Sequence, residues 1–184
     1  MSITVGVMGS AGDAPGVSNK EALAEKANAL ALALAERKVL LLTGATTGIV
    51  YVVGKAAREA GIFHVGVSPA NNSDDHVDTY QLPLDACNLI VYTGFGLKGR
   101  NVVLVRSCNI VLFIAGAMGS LNEFTIAHDE GKVIGCLTGT GGVADEVDYL
   151  LKRFAKNTGT RVFQDEDAGR LLNACINELR KRQQ

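Results

Sequence analysis

The chain has 184 residues, of which 47% are hydrophobic, 20% charged and 5% aromatic, and its formal net charge is −1. This length and apolar content predict one globular domain over residues 1–184. A nearly neutral chain with few aromatic side chains lacks basic patches and stacking surfaces, which argues against a nucleic-acid partner. Because there is no signal-peptide pattern and no apolar run approaches the ~20 residues of a membrane span, we expect no membrane contact and a cytoplasmic location.

The cysteines and histidines show no spacing typical of metal ligands. The cysteines form no C-x-x-C pair, and three of the four lie in or beside apolar stretches, which favours reduced core thiols over a zinc site. The histidines are expected in the core or on the surface. These residues are Cys87, Cys108, Cys136, Cys175, His64, His76 and His128. The sequence therefore predicts no metal site.

The first half of the chain alternates short β-branched runs with longer helical patterns. Strands are predicted at Ile3–Met8, Val39–Thr43 and His64–Val67, and helices at Lys20–Arg37 and Ile49–Ala60. Gly-rich loops are predicted at Gly9–Asn19 and Gly44–Gly48. The polar, acidic segment Ala70–Pro83 is predicted to be a mobile loop.

The second half continues the same alternation. Strands are predicted at Asn88–Tyr92, Ile110–Ile114, Val133–Leu137 and Arg161–Phe163, and helices at Arg100–Ser107, Leu121–Gly131, Val143–Lys156 and Glu166–Arg182. Strands that are nearly all apolar indicate a sheet covered on both faces. The chain is therefore predicted to be a doubly wound, Rossmann-like α/β domain, with a mostly parallel sheet and helices on both faces.

The loops at the carboxyl ends of the predicted strands are rich in small residues. In a doubly wound sheet, ligands bind at this edge, where the strand order reverses. Four loops, 9–12, 43–48, 116–120 and 138–142, could therefore surround one ligand. The candidate ligand-binding residues in them are Gly9, Ser10, Gly44, Thr46, Thr47, Gly48, Gly116, Met118, Gly119, Ser120 and Thr138.

Two of these loops carry specific alternatives. The loop Gly44–Gly48 is neither a Walker A loop nor a G-x-G-x-x-G fingerprint, so it is either a phosphate contact or a tight turn without a ligand. The loop 116–120 precedes a helix predicted to begin near Leu121, and a helix N-terminus favours an anion such as phosphate. Ser120 and Glu123 also match an S-x-x-E capping box, so Glu123 is either a cap or a functional carboxylate.

Arg100 is the candidate cation of this site. It follows a Gly-rich turn and stands at the predicted start of a helix, where a positive charge is unfavourable to the helix dipole. This misfit indicates either that Arg100 binds a phosphate or carboxylate, or that it is a solvated surface arginine.

The segment Ala115-Gly116-Ala117-Met118-Gly119-Ser120-Leu121-Asn122-Glu123 resembles the P-G-G-x-G-T-x-x-E motif of the LONELY GUY (LOG) or "lysine decarboxylase-like" superfamily, whose Rossmann-like domains are of the SLOG type. Arg100 lies fifteen residues before Ala115, where those proteins carry an arginine. The Gly9-Ser10 and Thr43–Ile49 loops also resemble nucleotide loops of the superfamily. The likeness covers nearly the whole chain.

Two branches of that superfamily compete. LOG enzymes are phosphoribohydrolases that cleave the N-glycosidic bond of a nucleoside 5′-monophosphate, and likeness to them implies catalytic roles for Arg100 and Glu123. The segments Gly99–Asn101 and Lys132–Gly142 are more similar to molybdenum-cofactor carrier proteins. Departures from the LOG pattern, which include Ala117 for a glycine and Gly99-Arg100-Asn101 for Glu-Arg-Lys, weaken the enzyme hypothesis more than the binding hypothesis.

The resemblance therefore implies a binding protein for a phosphorylated nucleotide or pterin-type ligand. Such a binding protein requires no cofactor, and the molybdenum cofactor and a nucleotide are the candidate bound molecules. The alternatives are a LOG-like phosphoribohydrolase, or a domain whose site has decayed and which is kept for oligomerisation. A lysine decarboxylase is not expected, since no pyridoxal-phosphate lysine motif is evident. The apolar helices and the resemblance predict a homo-dimer or tetramer.

Overall fold

A computed structural model describes residues 2–12, 16 and 19–184, and within them seven strands form one sheet. The strands are β1 Thr4–Gly9, β2 Leu40–Thr43, β3 His64–Ser68, β4 Leu89–Tyr92, β5 Ile110–Ile114, β6 Val133–Leu137 and β7 Arg161–Asp165. Their order is β4-β3-β2-β1-β5-β6-β7, and every neighbouring pair is parallel. In the centre, Val5 of β1 lies opposite Leu41 on one side and Ile110 on the other.

Helices cover both faces of the sheet. They are α1 Lys20–Glu36, α2 Ile49–Glu59, α3 Gly96–Arg106, α4 Met118–Asp129, α5 Val147–Phe154 and α6 Ala168–Lys181. Side chains of α1, α2 and α6 share one buried cluster, and those of α3, α4 and α5 share a second. The predicted doubly wound, Rossmann-like α/β fold is confirmed, with a sheet that is parallel throughout.

The alternation of strand side chains supplies both cores. Val5 and Val7 of β1 pack with Leu30 and Leu34 of α1. Met8, the next residue along the strand, belongs to the core of the opposite face. Because successive side chains of a strand point to opposite faces, an all-apolar strand contributes to two cores. Each fully buried aliphatic side chain stabilises the fold by about 1.5–3 kcal/mol.

The strand order reverses at β1. The chain passes from β1 through β2 and β3 to β4 at one edge, then returns to β5 on the opposite side of β1. The connections that leave β1 and β5 therefore diverge, and a crevice opens at the carboxyl ends of these strands.

Two helices begin earlier than the sequence predicts. The helix predicted from Arg100 begins at Gly96, and the helix predicted from Leu121 begins at Met118 after an N-cap at Ala117. Ser120 is therefore not the N-cap, and the predicted capping box is wrong. Gly96, Gly99 and Gly119, which the sequence predicts in turns, lie within the first turns of these helices.

The connections differ from prediction at two more places. The segment predicted as a loop over 70–83 contains a π-helical turn, Asp75–Thr79, in which His76 is buried and its Nδ1 lies 2.8 Å from Ser68 Oγ. The helix predicted from Val143 is a 3₁₀ turn, Gly142–Ala144, followed by α5. Residues 145 and 146 form a turn and a bend that separate the two segments.

Two further properties concern the described part of the chain. All four cysteines are buried and free, as expected for core thiols. No helix within 2–12, 16 and 19–184 is both long enough and apolar enough to cross a bilayer.

Candidate functional site

A cavity of about 230 Å³ lies at the switch point, beyond the carboxyl ends of β1, β2 and β5. Loops after two of these strands and two helix termini provide its walls. The lining includes Gly9, Ser10, Gly44, Thr46, Lys98, Arg100, Asn101, Gly119, Ser120 and Glu123. Six of these residues were predicted as ligand contacts, and Arg100 and Glu123 as the charged groups beside them.

A buried ion pair forms one side of the cavity. Arg100 and Glu123 are only 5% and 6% exposed, and Arg100 Nη1 lies 3.4 Å from Glu123 Oε1. Arg100 is therefore not a solvated surface arginine. Glu123 pairs with Arg100 rather than with the backbone of Ser120, which argues against its interpretation as a helix cap.

Burial shifts the pKa of both partners toward the neutral forms. Burial raises the pKa of Glu123 to about 7, although the charges of Arg100 and Lys98 oppose this shift. Burial also lowers the pKa of Arg100, and Glu123 opposes that change. A carboxyl group that titrates near neutral pH inside a cavity is typical of functional sites.

Asn101 is a site residue that the sequence analysis missed. Oriented so that its amide nitrogen faces acceptors, Asn101 Nδ2 lies 3.1 Å from Glu123 Oε1 and 3.0 Å from the Leu97 carbonyl oxygen. Helical spacing is the signal that could have found it. If the helix is extended back to Leu97, Asn101 lies four residues after Leu97, one helical turn on, and directly follows Arg100.

Gly44 makes room for the arginine. A Cβ atom on Gly44 would lie 2.7 Å from Cζ of Arg100, closer than side-chain atoms normally approach. The absence of a side chain at the end of β2 therefore lets the guanidinium lie against the backbone.

Two buried polar atoms beside the cavity have no hydrogen-bond partner among the described residues. They are Arg100 Nε and Ser120 Oγ. Leaving such groups unpaired is unfavourable, so most buried polar atoms in proteins are bonded. Both belong to residues that line the cavity.

The first turn of α4 lies at the same cavity. Gly119 and Ser120 line it, and a Cβ on Gly119 would meet no atom within 4 Å in the part of the chain that the structure describes. The first backbone N–H groups of a helix have no partner within the helix and carry partial positive charge. Together with Arg100 and Lys98, this turn forms a region suited to an anion.

The turn between β5 and α4 is held in an unusual backbone conformation. Ala115 has φ +53° and Gly116 has φ +109°, both in the left-handed region. Thr140 is 3% exposed, and its Oγ1 accepts a 2.8 Å hydrogen bond from the Ala115 N–H. Val143 N–H donates to the Gly116 carbonyl at 3.0 Å. The β6–α5 connection thus supports the turn that leads into α4.

Some predicted contacts lie outside the cavity lining. Thr47 is exposed, and its hydroxyl donates to the Ala11 carbonyl at 2.7 Å. Met118 is 76% exposed. The Thr138 carbonyl accepts from Lys26 Nζ at 2.7 Å. Gly48 and Gly116, both with positive φ, shape the turns behind the lining.

No group of three or more metal-binding side chains is present among the residues that the structure describes. The polar groups of the cavity are one guanidinium, one ammonium, one carboxyl, one carboxamide, hydroxyls and backbone amides. This donor set suits an oxyanion rather than a metal ion.

Comparison with known proteins identifies the family. A family model described as the SLOG cluster4 family matches residues 2–172. The chain belongs to the SLOG cluster4 family. The predicted membership of the LOG-like, SLOG-type superfamily is thereby confirmed.

Among curated relatives of this SLOG protein, an uncharacterised protein of Archaeoglobus fulgidus is 27% identical over 104 residues, which are 56% of this chain and 63% of that protein. The match therefore spans less than two thirds of that relative.

Several solved structures share the fold of this SLOG protein over nearly its full length. The crystal structure of the structural-genomics target TM1055 has a TM-score of 0.80 and 25% identity and covers 96% of this chain and 99% of that one. A molybdenum cofactor binding protein from Rippkaea orientalis has a TM-score of 0.68 and 23% identity, with 96% and 98% covered. The Moco carrier protein from Chlamydomonas reinhardtii has a TM-score of 0.71 and 24% identity, and the match covers 99% of both chains.

Proposed function

We propose that this SLOG protein binds a small phosphorylated ligand, a nucleotide or a pterin, and holds it without chemical change. The phosphate binds at the first turn of α4, against the Gly119 and Ser120 amides, and Arg100 and Lys98 balance its charge. The observation that carries this proposal is the pair of unpartnered atoms, Arg100 Nε and Ser120 Oγ, at one cavity. Both atoms carry a hydrogen that they can donate in a hydrogen bond to a phosphate oxygen.

The size of the cavity constrains how such a ligand lies. Pockets for drug-sized ligands are roughly 300–1,000 Å³, and this cavity is about 230 Å³. It therefore holds the phosphate and the adjoining group, and the rest of the ligand extends past exposed Leu97 and Lys98 at the mouth. The phosphate end of the molybdenum cofactor fits these residues in the same way as a nucleotide. The names of the Rippkaea and Chlamydomonas proteins support a carrier role of this kind.

Native mass spectrometry of the purified protein would identify a co-purifying ligand. A bound species that carries phosphate supports the proposal. Isothermal titration with 5′-AMP and with inorganic phosphate measures affinity directly. If neither compound binds and no phosphorylated species co-purifies, the proposal fails.

Replacing the buried arginine tests the phosphate contact. We expect Arg100→Ala to weaken 5′-AMP binding by about 1.5–3 kcal/mol, the range for a hydrogen bond to a charged group. The matched control is Arg106→Ala, which removes an exposed arginine of the same helix, paired with Glu130 at 2.7 Å. Calorimetry that gives both variants the wild-type affinity contradicts the assigned role of Arg100.

A second candidate function is a nucleoside 5′-monophosphate phosphoribohydrolase. The observation that favours it is Glu123, a buried carboxyl with a pKa near 7 beside an arginine in the cavity. Such a group can exchange a proton with water or stabilise positive charge on a sugar ring. Incubation with AMP and cytokinin monophosphates, followed by chromatography for free base, discriminates. Base release that disappears in Glu123→Gln supports the enzyme, and ligand binding without base release supports the carrier.

A further inference from the structure

The ligand charge that the cavity lining balances depends on whether Glu123 is ionised. Within the described lining, the charged side chains are Lys98, Arg100 and Glu123. With Glu123 ionised, their sum is one positive charge, which balances a monoanion. With Glu123 protonated, the sum is two positive charges, which balances a dianion.

Glu123 lies where a bound anion would feel it directly. Its Oε1 is 3.4 Å from Arg100 Nη1, so an oxyanion at the same guanidinium lies within a few ångströms of the carboxylate. Both residues are almost fully buried, so water and salt screen the interaction between their charges and a nearby anion only weakly. An ionised Glu123 therefore repels the anion and competes with it for Arg100.

We infer that Glu123 determines the ligand charge that the cavity accepts: a dianionic oxyanion is bound together with one proton, and a monoanion is bound without one. The proton comes from solvent and resides on the Glu123 carboxyl, which then donates a hydrogen bond rather than repelling the ligand. This inference rests on the proposed function, because it concerns the same cavity.

The charged groups nearest to Glu123 come from helix α3. The charged groups that act on its pKa are Arg100 and Lys98, both on α3. Burial raises the pKa of the Cys108 thiol to about 12, and burial also raises that of Cys136 on β6. β1 carries no titratable side chain. Since the pKa of Glu123 is about 7, the carboxyl is largely ionised at pH 8 before a ligand binds.

Sulfate and perchlorate test the inference, because both are tetrahedral oxyanions whose charges stay at −2 and −1 from pH 6 to 9. Titration calorimetry at pH 8 in two buffers of different ionisation enthalpy counts the protons taken up. We expect about one proton per sulfate and nearly none per perchlorate. We also expect sulfate affinity to fall about tenfold from pH 8 to pH 9, while perchlorate affinity stays constant.

Variants assign the proton to one residue. Glu123→Gln should bind sulfate without proton uptake and with constant affinity from pH 7 to 9. Glu130→Gln is the matched control, because Glu130 caps the same helix and pairs with Arg106 away from the cavity, and it should keep the wild-type uptake.

The outcomes separate this inference from the function on which it rests. Sulfate binding without proton uptake in the wild-type protein overturns the charge selection and leaves phosphate binding intact. Uptake that persists in Glu123→Gln also overturns it. If neither sulfate nor 5′-AMP binds, the proposed function fails and the inference fails with it.

Discussion

At the scale of single residues, the site depends on what Gly44 lacks. The Arg100 guanidinium occupies the space that a side chain on Gly44 would fill. The arginine itself is buried, although arginines are mostly exposed in proteins. Its position therefore results from one missing methyl group and one carboxylate partner, Glu123.

Gly44→Ala should displace the arginine without unfolding the protein. The added Cβ would meet the guanidinium of the buried ion pair rather than backbone, so we expect a loss of stability of about 0.5–3 kcal/mol. Because the guanidinium must shift, 5′-AMP affinity should fall about tenfold, or about 1.4 kcal/mol.

Gly12→Ala is the matched control for this change, because its Cβ would meet no atom of the described residues within 4 Å although Gly12 also lines the cavity. Calorimetry and thermal denaturation of both variants check the prediction. Equal affinities for the two variants would contradict it.

At the scale of elements, the connection after β6 supports the turn after β5. Thr140 links them, since its hydroxyl accepts from the Ala115 N–H and donates to the Leu137 carbonyl at 2.6 Å. Ala115 is a non-glycine residue with positive φ, a conformation that costs of order 1–3 kcal/mol and persists only when neighbours hold it. The sequence predicted that the 138–142 loop surrounds the ligand, but none of its residues is in the cavity lining, and Thr140 instead supports the turn from behind.

Thr140→Val should release this turn. The change leaves the buried Ala115 N–H without an acceptor, so we expect the free energy of unfolding to fall by about 1–3 kcal/mol. We also expect weaker 5′-AMP binding, since the Gly119 and Ser120 amides follow the released turn.

Thr140→Ser keeps the hydroxyl and should recover most of both losses. Urea denaturation and titration calorimetry measure the two effects. If Thr140→Ser is as impaired as Thr140→Val, the methyl group rather than the hydrogen bond is responsible.

At the scale of the whole molecule, two buried groups make stability depend on pH in opposite directions. The pKa of Glu123 is about 7 in the folded protein, against 4.5 for a free glutamate. The folded state then retains a proton that the unfolded state loses, so stability falls as pH rises from 4.5 to 7. Burial lowers the pKa of His64, which removes stability as pH falls below 6.5.

The difference between wild type and Glu123→Gln isolates the first effect. Glutamine has no proton to lose, so the variant should gain stability relative to wild type as pH rises from 4.5 to 7, by up to about 3 kcal/mol. Above pH 7 the difference should be constant. Urea denaturation at pH 5, 6, 7 and 8 measures it, and a difference that does not change with pH contradicts a raised pKa of Glu123.

Two expectations about the whole chain remain predictions: that it is one domain, and that it forms a homo-dimer or tetramer. Calorimetry can check the first and analytical ultracentrifugation the second.

The sequence by itself determined the fold class and the edge of the sheet where the site lies. Alternation of apolar strands with helical patterns requires a covered parallel sheet, and such a sheet places its glycine-rich loops at one edge. Local patterns were therefore enough to predict that Gly9, Gly44, Gly119 and Ser120 lie at this edge, where they line the cavity.

Only the tertiary structure decided how the charged residues act. Arg100 and Glu123 lie 23 positions apart, and their spacing alone is equally compatible with a helix cap and a surface arginine. Packing of α3 against α4 buries both side chains together, and burial changes their electrostatics. Thr140 and Asn101 escaped prediction for the same reason, because their partners come from other elements or from a helix that begins four residues earlier than its propensities indicate.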